Sequence, residues 1–269
     1  MQKVAAIQMC STNNVRENLD AAEKLIHQAA SAHAKLIVLP EMFAIMGTDA
    51  KDKIIVKEKY GEGLIQSFLS EQARKNNVWI LGGTIPIACD DVNKIRAAAI
   101  LYDDQGSVVA RYDKIHLFDV TLSHDEIYKE SDTTQPGKDL IVVDTPVGKL
   151  GIGVCYDIRF PEMFRDLFRR GAEIIALPSA FTVKTGTAHW ELLSRSRAVE
   201  NFCYFIGAAQ GGQHGNGRKT YGNSLIVSPW GDVIAKNIGE NPGVIYADID
   251  LKTLYDIRKS IGQPLKNND

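Results

Sequence analysis

The sequence predicts an α/β fold built on a mixed sheet. Short β-rich runs alternate with amphipathic helical segments along the whole chain, and one pair of neighbouring β-rich runs is joined by a hairpin turn instead of a crossover helix. No linker, low-complexity tract or composition break divides the 269 residues, a length that one large core accommodates economically, so residues 1–269 are expected to form a single domain.

The elements follow in order. Residues 3–9 alternate as a strand, residues 14–32 place Val15, Leu19, Ala22, Leu25, Ile26 and Ala29 on one helical stripe, and residues 35–39 read as a short buried strand. A helix over 64–75 and a strand over 78–84 repeat the order. Strands over 95–102 and 108–112 flank Asp103-Asp104-Gln105-Gly106, residue types that form tight turns. Residues 119–137 are polar without periodicity and read as a loop. Strands over 140–143 and 150–154 precede a helix over 161–171, opened by Pro161 and closed by Gly171. A strand over 173–177, a helix over 188–201, strands over 204–209, 224–227, 233–235 and 244–248, and a last short helix complete the pattern. The glycines between 211 and 217 read as a flexible loop. Residues 34–40 and 172–178 echo one another, each a helix exit, a buried strand and a Leu-Pro stop.

Charge and composition exclude several classes. With 31 basic against 33 acidic residues, the net charge of -2 provides no field to recruit nucleic acid or an anionic membrane. Apolar stretches fall well short of the roughly 20 residues that span a bilayer, and the first residues lack the apolar run and cleavage site of an export signal. Cys10, Cys89, Cys155 and Cys203 lie far apart, without metal-ligand spacing, and read as free thiols in a reducing, cytoplasmic compartment with no metal site.

Three residues stand at strand ends, where α/β proteins place ligands. Cys155 ends a strand and precedes a helix start, an elbow that presents its thiol outward; free N–H groups there lower a thiol pKa and face an oxyanion. Glu41 follows the buried run Leu36-Ile37-Val38-Leu39-Pro40 and has apolar neighbours in Met42 and Phe43. Lys114 closes another strand. Together they supply a nucleophile, its proton acceptor and a charge stabiliser. Arg159, four residues past the thiol, is a candidate fork for a substrate carboxylate, with a structural pair to Glu162 as the alternative. A Cys-His hydrolase would draw on His116 or His189; G-x-S-x-G does not occur, and a dinucleotide fingerprint from Gly151 and Gly153 fails at Tyr156.

Leu39-Pro40-Glu41-Met42-Phe43, the run Tyr112 to Asp119 and the run Gly153 to Glu162 resemble, in this order, the three signature regions of the carbon-nitrogen hydrolase (nitrilase) superfamily, and the resemblance covers nearly the whole chain. It implies a four-layer αββα sandwich, a Glu-Lys-Cys triad at Glu41, Lys114 and Cys155, no cofactor, and association into homodimers. It also implies a second active-site glutamate, matched by Glu130 with Glu126 nearby. Phe181 and Thr182 become pocket candidates, and the Tyr156 N–H a partner of the oxyanion. Pro178-Ser179-Ala180-Phe181-Thr182, His189-Trp190-Glu191 and Pro229-Trp230-Gly231 resemble Nit-type amidases, which cleave the amide of 2-oxoglutaramate or of deaminated glutathione. The stretch Gln210-Gly211-Gly212 is closer to the deaminated glutathione branch, where its glycines would leave room for a Cys-Gly tail. N-carbamoyl amidase and nitrilase activities are the enzyme alternatives, although true nitrilases typically carry Trp-Glu where this chain has Tyr156-Asp157. A catalytically silent interaction module is the non-enzyme alternative.

Overall fold

A computed structural model describes residues 1–124 and 126–261. The first half contains β1 (Gln2–Gln8), α1 (Val15–Ser31), β2 (Leu36–Val38), α2 (Asp52–Ile55), α3 (Leu64–Asn76), β3 (Trp79–Leu81), β4 (Ile85–Ala88), β5 (Ile95–Tyr102), β6 (Val108–Asp113), β7 (Asp119–Ser123) and β8 (Glu126–Lys129). The second contains β9 (Val142–Thr145), β10 (Gly148–Ile152), α4 (Pro161–Arg169), β11 (Ile174–Ser179), α5 (Val183–Asn201), β12 (Tyr204–Ala209), β13 (Gly211–Gln213), β14 (Lys219–Tyr221), β15 (Leu225–Val227), β16 (Val233–Lys236), β17 (Gly243–Ile249) and α6 (Leu251–Ile261).

Two mixed sheets form. One runs β17-β1-β2-β3-β5-β4 with β6 on β5; the other runs β16-β15-β12-β11-β10-β9. The strand period of two decides the layers. Val4 and Ala6 of β1 point into a core shared with Leu150, Ile152, Ile206 and Ile226 of the other sheet, whereas Ala5 and Ile7 meet Leu19 and Ile26 of α1 and Leu69 of α3. On the far side, Phe164 and Leu167 of α4 and Trp190 of α5 cover the second sheet. The order is helix, sheet, sheet, helix: the αββα sandwich. Each fully buried Ile or Leu contributes about 1.5–3 kcal/mol, several times any single residue's helix propensity, so the stripes hold α1 and α3 in place. Asn14 sets the start of α1, its side chain accepting from the N–H groups of Arg16 and Glu17.

The echo between the two halves has a structural counterpart. β2 pairs in parallel with both β1 and β3, and β11 in parallel with both β10 and β12. Strands flanked this way are buried on both faces and read as continuous apolar runs.

Several expectations are corrected. Residues 119–137 are not all loop: β7 and β8 form a hairpin, followed by a 3-10 turn at Glu130–Asp132. The segment 211–217 is not a flexible loop but the start and turn of the β13–β14 hairpin. Both are short pairs of strands outside the two main sheets. β4 contains Pro86 at a sheet edge, which masks it as a strand. The one-turn α2 buries no residue completely. α5 starts at Val183, five residues before the expected start, because Thr182 caps it and Thr185, Gly186 and Thr187 are weak helix formers.

Candidate active site

Cys155 follows β10 by three residues and opens a 3-10 turn, Cys155–Arg159, that leads into α4. Its φ is +48°, a left-handed conformation that costs a non-glycine residue of order 1–3 kcal/mol and persists only where its surroundings enforce it. Asp157, fully buried, is the enforcing group. Its carboxylate accepts from Val154 N–H at 2.8 Å, the Tyr112 hydroxyl at 2.7 Å, His116 N–H at 3.0 Å and His116 Nδ1 at 2.7 Å. The His116 ring stacks on Phe160 with centroids 3.5 Å apart. One carboxylate thereby ties the end of β6, which carries Lys114, to the elbow that carries Cys155.

Glu41 lies past β2 on a backbone braced from two sides. Met42 N–H donates to Thr84 Oγ1 at 2.8 Å, and Gln210 Nε2 donates to the Glu41 carbonyl at 3.0 Å. Lys114, 2 % exposed, donates to Glu41 Oε1 at 2.7 Å and to Glu130 Oε2 at 2.8 Å. Burial opposes its charge, but the Glu130 and Glu41 carboxylates outweigh burial and hold its pKa well above the ordinary lysine value. Burial likewise raises the Glu130 carboxyl, and the Lys114 and Lys53 charges overcome it, so Glu130 titrates below its usual range. Glu130 also accepts from Phe118 N–H at 2.7 Å, whereas Glu126 accepts from the Tyr128 hydroxyl. Of the two glutamates, it is Glu130 that meets the lysine.

The thiol departs from expectation. Burial first, then the Glu41 carboxylate, push the Cys155 pKa well above 9.0, with Lys114 and a 3.5 Å hydrogen bond from Ala180 N–H only partly opposing them. The elbow does not produce a resting thiolate. Burial and the Glu41 carboxylate keep Cys155 a protonated thiol.

A cavity of about 310 Å³ opens over these groups. Of the residues singled out in the sequence, Glu41, Lys114, Glu130, Cys155, Tyr156, Arg159 and Phe181 line it. Thr182 does not: its buried hydroxyl caps α5, accepting from Thr185 N–H at 3.3 Å. Arg159 pairs with no carboxylate among the described residues, Glu162 included; its Nη2 lies 3.2 Å from His189 Nδ1, between the Tyr156 and Phe181 rings at 5.9 and 5.8 Å. His116 and His189 are thus engaged by Asp157 and Arg159. Gly211 and Gly212 are buried away from the cavity, and a side chain at Gly211 would strike the Glu240 carbonyl, so these glycines serve close packing and leave no room for a substrate tail. The sequence reading missed Lys53, Phe118, Tyr128 and Arg218 on the cavity wall. Lys53 sits on the one-turn α2 and Arg218 on the β13–β14 turn, segments without periodicity, so neither carried a local signal.

An αββα sandwich that gathers a thiol, an ammonium and two carboxylates at its strand ends is the arrangement of the carbon-nitrogen hydrolase class. The sequence model of the family "Carbon-nitrogen hydrolase" matches residues 3–259, and the chain belongs to that family. It is 45 % identical over 247 residues to a deaminated glutathione amidase of Yersinia enterocolitica, covering 91 % of this chain and 84 % of the relative. A deaminated glutathione amidase of Synechocystis is 38 % identical over 260 residues, covering 96 % and 94 %. Among solved structures, Saccharomyces cerevisiae Nit3, a member of branch 10 of the nitrilase superfamily, superimposes with a TM-score of 0.88 at 33 % identity, covering 100 % of this chain and 97 % of that one. The protein is accordingly a hydrolase of carbon–nitrogen bonds, of the amidase kind.

Proposed function

We propose that this protein hydrolyses the amide of deaminated glutathione through a Cys155 thioester. The observation that carries the reading is the cavity itself. Its wall presents five cationic side chains, Lys53, Lys114, Lys129, Arg159 and Arg218, against three carboxylates, Glu41, Asp49 and Glu130, in a chain whose net charge is -2. Positive charge concentrated around a nucleophile selects an anionic substrate.

In the proposed cycle Glu41 takes the thiol proton as Sγ attacks the amide carbonyl. The tetrahedral oxyanion is held by the Lys114 ammonium and the Tyr156 backbone N–H. Glu41 returns the proton to the departing amine, then activates the water that cleaves the thioester, which releases the carboxylic acid and restores the thiol. Glu130 fixes the lysine, since its own carboxylate stays ionised and shares Lys114 with Glu41. Arg159 grips the carboxylate of the acyl part, and Phe181 packs beside it.

Steady-state kinetics on three compounds tests the substrate. Deaminated glutathione is expected to have the highest kcat/KM, 2-oxoglutaramate less, and simple aliphatic nitriles little or none, since a neutral nitrile forfeits a charged hydrogen bond worth roughly 1.5–3 kcal/mol. Preference for 2-oxoglutaramate would move the protein to the ω-amidases. Glu41→Gln is expected to lower kcat on the order of 10²- to 10⁴-fold with an unchanged circular dichroism spectrum; near-normal turnover would remove Glu41 from the mechanism. A single domain, a cytoplasmic location and a homodimer complete the proposal. Four free cysteines support the location, and no helix among the described residues is long and apolar enough to cross a membrane.

A further inference from the structure

We infer that Arg218 and Lys53 form a second anion-binding subsite in the cavity, one that takes a carboxylate carried by the leaving amine. The inference rests on the amidase reading above and adds to it which end of the substrate is recognised, and by what.

Arg218 stands at the turn of the β13–β14 hairpin. Its Nη2 donates to the Ala180 carbonyl at 2.6 Å and its guanidinium lies 5.3 Å from the centroid of the Tyr128 ring. Its Nε is buried and has no acceptor among the described residues. A buried N–H without an acceptor is unfavourable, so the side chain is arranged for a partner the protein does not supply. Lys53 reaches the same cavity from α2, with Nζ donating to Thr134 Oγ1 at 2.8 Å. An ammonium has three protons to give. Among the described residues neither cation forms an ion pair, because the two buried carboxylates, Glu41 and Glu130, are both engaged by Lys114. Asn216 Nδ2 donates to the Gly47 carbonyl at 2.7 Å, which ties the hairpin tip to the loop before α2 and brings the two cations to one rim. Burial lowers the Lys53 pKa, with Glu130 and Glu41 only partly opposing it, so a further carboxylate beside Lys53 would favour its charged form.

The position of the pair decides which carboxylate it takes. Arg159 shares the 3-10 turn of Cys155, so it stands beside the acyl group that becomes bonded to Sγ. Lys53 instead feels the charges of Glu130 and Glu41, the second of which returns the proton to the departing amine. A carboxylate on that amine, as at the end of a dipeptide, therefore falls to Lys53 and Arg218, where the planar guanidinium offers a bidentate grip.

Calorimetry on the Cys155→Ala variant tests this without turnover, using deaminated glutathione and its C-terminal carboxamide as the probe pair. The acid is expected to bind about ten- to a hundredfold more tightly than the carboxamide. Adding Arg218→Leu is expected to reduce that ratio to within about threefold, Arg218→Lys to restore part of it, and Lys53→Met, which leaves the hairpin untouched, to reduce it as well. Equal binding of acid and carboxamide to Cys155→Ala, or an equal loss for both ligands on replacing Arg218, overturns the subsite. The two readings fail separately: a binding preference without wild-type turnover of deaminated glutathione would sink the amidase assignment and keep the subsite, whereas turnover with equal kcat/KM for acid and carboxamide would do the reverse.

Discussion

Cys155 begins the reaction as a thiol, so the charge balance around it has to change before anything else does. Burial and the neighbouring Glu41 carboxylate hold its pKa above 9.0, and alkylation by iodoacetamide, which needs the thiolate, should therefore keep rising through pH 9 without a plateau. At pH 7 Glu41→Gln should speed the labelling of Cys155, because it removes a carboxylate that disfavours the thiolate. Peptide mapping after short exposure checks both; a plateau near pH 7 would mean a resting thiolate and a different first step. The sequence reading had the sign of this shift wrong for a physical reason. A strand-end elbow is visible in Gly153-Val154-Cys155-Tyr156, but the carboxylate that faces the thiol is 114 positions earlier and acts only through space. Glu130 gives a second test at this scale. Its folded pKa is depressed, so its pairing with Lys114 contributes stability above the unfolded value of about 4.3 and loses it as pH falls through the folded value. The Tm gap between wild type and Glu130→Gln should be widest at pH 5–7 and close progressively below about pH 4. A gap independent of pH would show that shape, not charge, holds Glu130.

Elements carry these residues to one place, and the joints between them are where substitutions should matter most. Gly83, between β3 and β4, has φ +53°, and a Cβ there would lie 2.0 Å from the carbonyl of Pro40, the residue before Glu41. The obstacle is backbone and cannot rotate away, so Gly83→Ala must push the Glu41 loop. A loss of about 1–3 kcal/mol in stability is expected from the overpacking, with kcat lowered at least about tenfold, because a misplacement near 1 Å at a catalytic group costs on the order of 10²-fold. Thermal denaturation and steady-state rates measure the two; full kcat in a destabilised variant would separate the joint from the chemistry. Asp157→Ala acts at the other joint, leaving Tyr112, Val154 and His116 donors buried and unmet. It should cost about 3–5 kcal/mol, in the range for removing one partner of a buried charged network. The strands that frame these joints were legible because β2, β5, β11 and β12 are buried runs of apolar residues. The hairpins β7–β8 and β13–β14 were not: their strands are only three to five residues long and set in polar or glycine-containing sequence, too short for a period to stand out.

At the scale of the whole molecule, one surface is more apolar than an isolated chain needs. Leu192 is 63 % exposed, Trp230 61 % and Val199 43 %. Leu192 and Val199 are seven residues apart on α5, two turns, and so share a face. Arg195 Nε on the same face donates to the Gly231 carbonyl at 2.8 Å, which fixes the turn bearing Trp230 beside them. Contiguous apolar patches of this kind mark interaction surfaces, and a twofold axis through α5 would bury the patch against its own copy, the commonest closed arrangement. α5 also begins at the Thr182 cap, next to Phe181 on the cavity wall, so a partner gripping α5 would steady the wall that holds Arg159. We therefore expect sedimentation of the wild-type protein at the mass of a dimer, twice the 29.7 kDa chain. Leu192→Asp combined with Trp230→Asp should yield monomers, since each charge would be buried in the interface without a partner, and its desolvation is not repaid. The same variant should raise KM severalfold while the cavity's own residues stay unchanged. A wild-type protein that sediments as a monomer at micromolar concentration would end the dimer proposal, and monomers with unaltered KM would confine α5 to assembly and leave the cavity wall independent of it.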